Sequence, residues 1–186
     1  MKITQSTLPG VFTITPTVLE DTRGYFVETF HNQRYAAAGI PEPFVQDNLS
    51  FSKRGALRGL HLQNPHGQAK LISVLQGEVF DVAVDVRVGS PTFGQWACET
   101  LSGKNKRQFY IPPGFAHGFC VTSDEALLTY KCSDLYHPEH EMGILWNDEE
   151  IGIKWPIEQP LLSPKDNQAL PLSQIDQTHL PRYEEK

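Results

Sequence analysis

Between Glu78 and Arg87 the chain reads "EVFDVAVDVR", and this run constrains the fold more than any other stretch. Side chains of a strand alternate between its two faces. Phe80, Val82, Val84 and Val86 therefore share one face, and Val79, Asp81, Ala83, Asp85 and Arg87 share the other. Other runs of the same kind surround it. Val11–Thr15 alternates, and "YFVETF" (Tyr25–Phe30) is aromatic and β-branched. Phe44–Phe51, Leu57–Gln63, Lys70–Leu75, Phe93–Leu101, Gln108–Ile111, Gly118–Thr122 and Ala126–Lys131 follow. Turn-forming stretches such as "NPHGQ", "LQG", "VGSP", "LSGKN" and "PPG" separate them. About ten short strands at this spacing predict an all-β antiparallel sandwich or barrel.

One helix is expected early, in "HNQRYAAAG" (His31–Gly39), which has helix-forming alanines and a glycine stop. From Trp155 the chain turns rich in Pro, Leu, Gln and Ser. A length of 186 residues suits one domain. We therefore expect a single domain over 1–186, with 155–186 as an irregular or short-helical extension packed on it.

Charge excludes some partners. The chain has 16 Lys+Arg against 22 Asp+Glu, a formal net charge of -6, and so no basic footprint for nucleic acid. An anionic ligand has to be held by a local group of arginines and lysines. No stretch approaches the ~18 apolar residues of a membrane span, and the start "MKITQSTLPG" lacks the apolar run of a signal peptide. The expected compartment is the cytoplasm. Cys98, Cys120 and Cys132 form no CxxC pair and read as free thiols in or near the core.

The chemistry concentrates in a few places. "KRGALRGLHLQ" (Lys53–Gln63) holds two Arg-Gly steps before His61. Gly59 leaves room for something to approach the backbone. Arg58 and His61 lie on opposite faces of a regular strand, so one site can use both only at a bulge, a strand end or an irregular stretch. His117, in "IPPGFAHGF", is either a ligand-binding or catalytic group or a turn cap. Lys70 opens a strand, either as a solvated start or as a cation for an oxyanion. Tyr130 is either core packing or a proton donor. Asp166 is either a surface turn residue or the partner that fixes a histidine's tautomer. Arg23, Phe26 and Glu28 in "DTRGYFVETF" offer a cation, an aromatic face and a carboxylate. Gln46 and Asn48 share a face and are unusually polar for a central strand. A metal-binding barrel of this kind wants an HxH pair, which is absent after His61, and "HPEHE" with His137 and His140 resembles no standard site. The expectation is no metal. Taken together, these residues supply a base, an anion hole, a phenol and an arginine-plus-aromatic grip. That set suits proton abstraction beside a carbonyl on a phosphorylated or nucleotide-linked substrate.

"FVQDNLSFSKRGALRGLHLQ", "KLISVLQGEVFDVAVDVRVGSPTFGQW", "NKRQFYIPPGFAHGF", "YKCSDLYHPEHEMGILWNDEEIGIKWP" and "LLSPKD" resemble, in order and over essentially the whole chain, the dTDP-4-dehydrorhamnose 3,5-epimerase family. The resemblance implies a cupin-like jelly-roll barrel with a few short peripheral helices, a homodimer, and neither metal nor organic cofactor. It implies inversion of C3 and C5 of dTDP-4-dehydro-6-deoxy-D-glucose, giving dTDP-4-dehydro-L-rhamnose for bacterial surface polysaccharide such as O antigen. Carried over by motif, His61 is the base and Asp166 orients it. Lys70 stabilises the enolate, and Tyr130 donates the proton on the other face. His117 lines the sugar pocket, Arg23 and Arg58 meet the diphosphate and sugar, and Phe26, Glu28, Gln46 and Asn48 form the nucleotide-side wall. Tyr136 is the aromatic that helps pack the nucleotide. Leu62 stands where relatives are expected to carry an aromatic. Enzymes of the same fold that act at C3 or C5 alone keep the histidine, so His61 does not exclude them. A non-catalytic sugar-nucleotide binding module on the same barrel has no need of a His61–Asp166 pair.

Overall fold

In the computed structural model, which describes residues 1–184, the chain forms two facing antiparallel sheets, the layers of a jelly-roll barrel. Glu185 and Lys186, the end of the expected extension, lie outside the described residues. The strands are β1 (Lys2–Gln5), β2 (Phe12–Thr15), β3 (Val18–Asp21), β4 (Gly24–Val27) and β5 (Gln46–Lys53). Next come β6 (Leu57–Gln63), β7 (Lys70–Gln76), β8 (Glu78–Asp85) and β9 (Trp96–Ser102). Last are β10 (Gln108–Ile111), β11 (Phe115–Val121), β12 (Glu125–Cys132) and β13 (Glu141–Gly143). One sheet has the order β1-β2-β10-β7-β12-β5, and the other β13-β6-β11-β8-β9. The hairpin β3–β4 stands apart as a sheet of its own.

The expected all-β class holds, with more strands than the pattern suggests. β1, β3 and β13 are only three or four residues long and mix polar with apolar side chains, so alternation does not single them out. The expected strand over Tyr25–Phe30 ends at Val27, because Phe30 turns into an aromatic cluster 4.9 Å from Tyr35 and 5.2 Å from Phe44. β11 starts at Phe115 rather than Gly118. It lies between β6 and β8 with all seven residues buried, and a strand paired on both sides and covered on both faces reads as a continuous run. The early helix, α1, spans Asn32–Ala37.

The two faces of β8 explain its alternation. Val79 and Ala83 join Ile72, Val74, Phe109 and Leu128 in the core between the sheets. Val82, Val84 and Val86 face outward and are covered by Trp155, Leu172 and Leu180 of the C-terminal segment. That segment is irregular, with one four-residue helix, α2 (Pro164–Asn167), and two short 3-10 turns. Asp85 is fully buried and held by Arg87 (2.8 and 2.7 Å), Ser90 (2.6 Å) and Thr92 (2.6 Å). All three cysteines are free. Cys120 and Cys132 are buried, whereas Cys98 is exposed on the edge strand β9, contrary to the expected burial.

Candidate functional site

A cleft of about 480 Å³ opens between the sheets. Its walls follow from strand register, because directly paired residues point to the same face. Across β5, β12 and β7, Gln46 pairs with Cys132 and Cys132 with Lys70, while Asn48 pairs with Tyr130 and Tyr130 with Ile72. Gln46, Asn48, Tyr130 and Lys70 therefore stand on one wall. On the other sheet His61 pairs with His117, and Phe119 pairs with both Asp81 and Arg58. His61, His117, Phe119 and Arg58 form the opposing wall.

Arg58 and His61 reach one cleft because β6 is irregular. Its pairing with β11 steps from Arg58↔Phe119 to His61↔His117, three residues against two. Gly59 makes the step possible. It sits at φ +111, and a Cβ there would meet the His117 carbonyl oxygen at 2.5 Å and Gly118 Cα at 2.6 Å. The group that approaches Gly59 is thus the neighbouring backbone, not a ligand.

Each histidine carries its own carboxylate. His61 Nε2 lies 2.5 Å from Asp166 Oδ1, and His117 Nε2 lies 2.9 Å from Asp81 Oδ1. Asp166 is delivered by α2, whose N-cap Ser163 accepts the Asp166 N–H at 3.1 Å and donates its hydroxyl to Asp166 Oδ2 at 2.8 Å. Burial works against ionisation of Asp166, but the bonds from His61 and Ser163 hold its carboxyl below the usual carboxylate range. Burial pushes the Asp81 carboxyl up, against the pull of His117 and Lys70. Asp81 Oδ2 is buried with no hydrogen-bond partner among the described residues.

On the facing wall, burial lowers the pKa of the Lys70 ammonium, opposed by Cys132, Glu141 and Asp81. Burial, then Cys132, raises the Tyr130 phenol, with Arg58 opposing. Arg58 Nε donates to Ser52 Oγ at 3.0 Å. At the rim, Glu141 accepts from the Tyr136 hydroxyl at 2.9 Å and from Lys165.

Nine of the twelve expected site residues line this cleft: His61, Asp166, Lys70, Tyr130, Arg58, His117, Gln46, Asn48 and Tyr136. Arg23, Phe26 and Glu28 do not. Arg23 and Phe26 line a separate shallow groove on the β3–β4 hairpin, where Arg23 pairs with Asp21 at 2.6 Å. Glu28 pairs with Arg34 at 2.6 Å. Within one chain, then, the arginine–aromatic–carboxylate group is not part of the cleft. Sequence reasoning passed over Asp81, Glu141, Ser163, Lys165 and Gln63. Asp81 did carry a signal, a carboxylate between Val79 and Ala83 on the inner face of β8. Glu141 and Lys165 had none, since each is an ordinary charge in a polar stretch.

Residues 5–174 match the family model described as dTDP-4-dehydrorhamnose 3,5-epimerase. A dTDP-4-dehydrorhamnose 3,5-epimerase of Pseudomonas aeruginosa is 52% identical over 178 residues, covering 95% of this chain and 98% of its own. A dTDP-4-dehydrorhamnose 3-epimerase of Streptomyces niveus is 45% identical, covering 98% of this chain and 90% of its own. The fold is similar, at a TM-score of 0.97 and 53% identity over 99% of both chains, to the crystal structure of a dTDP-6-deoxy-D-glucose-3,5-epimerase from Legionella pneumophila in complex with dTDP-4-keto-L-rhamnose.

Proposed function

The chain belongs to the dTDP-4-dehydrorhamnose 3,5-epimerase family, and from that membership we propose that it inverts C3 and C5 of dTDP-4-dehydro-6-deoxy-D-glucose to give dTDP-4-dehydro-L-rhamnose. The observation that carries the mechanism is the His61–Asp166 pair facing Lys70 and Tyr130 across one cleft.

C3 and C5 both flank the C4 ketone. Removing a proton from either gives an enolate whose charge rests on the same oxygen, so one cation serves both inversions. Lys70 is that cation, and its removal from water strengthens the interaction. His61 takes the proton as the neutral imidazole. Asp166 fixes its tautomer and stabilises the imidazolium that forms. Inversion needs the new proton on the opposite ring face, and Tyr130 stands on the opposing wall to deliver it. His117 with Asp81, together with Arg58, holds the sugar, and Tyr136, Gln46 and Asn48 lie toward the nucleotide. No step calls on a metal or an organic cofactor.

The proposal extends to assembly. β5 is an edge strand whose outward face carries exposed Leu49 and Phe51, and the β3–β4 hairpin exposes Leu19, Tyr25 and Phe26. A homodimer built on these surfaces covers them. It also gives Arg23 a place at the diphosphate, and Phe26 and Glu28 a place on the nucleotide-side wall, of the partner's cleft, roles that they lack within one chain. The single domain over 1–186, the cytoplasmic location and the supply of L-rhamnose to a surface polysaccharide such as O antigen belong to the same reading. No helix among the described residues is long and apolar enough to cross a membrane.

The 3-epimerase relative makes inversion at C3 alone the second reading. Proton NMR of the substrate in deuterated water, with a chelator and no added cofactor, separates the two. Deuterium at both C3 and C5, trapped as the L-rhamno product by a reductase, establishes the double epimerase. Deuterium at one carbon establishes a single-position enzyme. Tight binding without exchange makes the chain a binding module.

A further inference from the structure

Beside the cleft, three histidines stand together that the epimerisation does not use. His66 stacks on His137 with ring centroids 4.3 Å apart and on His140 at 5.2 Å, and His137 and His140 are 5.8 Å apart. One ring nitrogen from each lies within 4.8 Å of the others. Nδ1 of His140 is inaccessible and has no hydrogen-bond partner among the described residues.

The arrangement is braced from beneath. Gln63, a buried side chain of β6, donates to the His66 carbonyl at 2.8 Å and to the Leu135 carbonyl at 3.2 Å, and accepts the His137 N–H at 2.8 Å. One amide thus ties the loop carrying His66 to the segment carrying His137 and His140. His66 is held at φ +66, a conformation few non-glycine residues adopt. Carboxylates stand beside the rings. Asp134 is 3.4 Å from Nδ1 of His66, and Glu139 is 3.4 Å from Nδ1 of His137 and 3.8 Å from Nδ1 of His140.

We propose that His66, His137 and His140 form a site for a divalent first-row transition ion such as Zn²⁺ or Co²⁺. The ligand chemistry suits these metals, since imidazole binds them well and the hard cations Mg²⁺ and Ca²⁺ poorly. Nitrogens on a tetrahedral zinc at about 2.05 Å stand about 3.3 Å apart. The ring nitrogens therefore close by up to about 1.5 Å on binding, and the stacked rings turn so that their in-plane lone pairs converge, a side-chain adjustment of two exposed-to-half-buried loops. The segment His137–His140 runs between Tyr136 and Glu141, both on the rim of the cleft. Metal at the triad pins that rim and takes no part in the proton transfers.

The test uses the full chain, stripped with a chelator and titrated with Co²⁺ alone. The expected result is one Co²⁺ per chain, with the visible absorption of an imidazole-ligated ion of low coordination number, displaced by Zn²⁺. His140→Gln and His66→Asn, the latter chosen because Asn tolerates a positive φ, should each weaken binding by at least about tenfold. Absence of binding at micromolar Co²⁺, or binding unchanged in both variants, overturns the proposal. Copper EPR on the unsubstituted chain gives a reading that no misfolded variant can spoil. Three imidazole nitrogens on one Cu²⁺ support the site, and fewer overturn it. Epimerisation in the presence of chelator is expected to proceed at an undiminished rate, so this result and the test of the epimerase reading stand independently.

Discussion

His61 and Asp166 are 105 residues apart in the chain and 2.5 Å apart in space. The strand β6 presents the imidazole, and a four-residue helix in the C-terminal segment presents the carboxylate, capped by Ser163. The proposed base thus depends on a segment with little regular structure. His61→Ala is expected to abolish solvent exchange at both C3 and C5, with a loss of about 10²–10⁴-fold in kcat, the usual worth of a positioned general base. Affinity for dTDP should change little, which isothermal titration checks. Retained exchange at either carbon removes His61 from the base role.

Lys70 gives a prediction in pH. Burial lowers the pKa of its ammonium below that of a free lysine. The proposed enolate-stabilising charge is therefore lost on the alkaline side at a lower pH than about 10.4, the ordinary lysine value. The kcat profile should fall along an alkaline limb displaced below that value. Lys70→Met should cut kcat by about 10²–10³-fold across the range and remove that limb. A limb that survives in Lys70→Met belongs to another group.

Strand alternation located β8 and predicted the all-β class, because Val79, Ala83, Val82 and Val84 obey the period-2 rule on both faces. It missed β13, three residues of mixed polarity whose pairing with β6 puts Glu141 on the cleft rim. Local pattern holds no information about such a tertiary pairing. The motif residues His61, Lys70 and Tyr130 could be singled out from the sequence, but the cleft that unites them comes from register across two sheets. The separation of Arg23, Phe26 and Glu28 from that cleft was not legible either, since nothing in "DTRGYFVETF" says that the hairpin stands apart.

Tyr130 stands on the wall opposite His61, in register with Asn48 and Ile72. Removing its hydroxyl leaves the base and the cation in place. Tyr130→Phe should therefore still wash deuterium into the substrate while yielding little inverted product, chiefly at C5. NMR of exchange against reductase-coupled product formation measures the two separately. Equal losses of exchange and product in this variant reject the assignment.

Asp85 carries a prediction about acid stability. It is fully buried, and although burial favours its neutral form, hydrogen bonds from Arg87, Ser90 and Thr92 hold its carboxyl below the usual value. A depressed folded-state pKa means that the unfolded chain takes up the proton first. The contribution of Asp85 is therefore complete above about pH 3.9, the unfolded value, and is lost as pH falls through the folded one. Asp85→Ala leaves Arg87 without its partner and should cost about 3–5 kcal/mol at neutral pH. Urea denaturation at pH 7 and pH 3 checks this. The gap between variant and native chain should narrow at the lower pH, and a constant gap shows that packing, not charge, sets the cost.

Gly59→Ala tests whether the irregularity of β6 is what unites Arg58 with His61. The added methyl meets the His117 carbonyl at 2.5 Å and Gly118 Cα at 2.6 Å, and those are backbone atoms of a strand buried on both sides. The positive φ of +111 adds strain for any residue with a Cβ. Neither contact relaxes by a side-chain rotation, so β11 has to move away from β6 or the step in register has to shift. Loss of more than about 2 kcal/mol of stability is expected, since strain and backbone overlap add. A shift in register also turns Arg58 or His61 out of the cleft, so kcat should fall even in the fraction that stays folded at low temperature. Denaturant melting together with deuterium exchange at C3 and C5 reads both effects. Native stability with native exchange rates would show that β11 yields freely at this crossing, and that the step at Gly59 is not what brings the two side chains to one site.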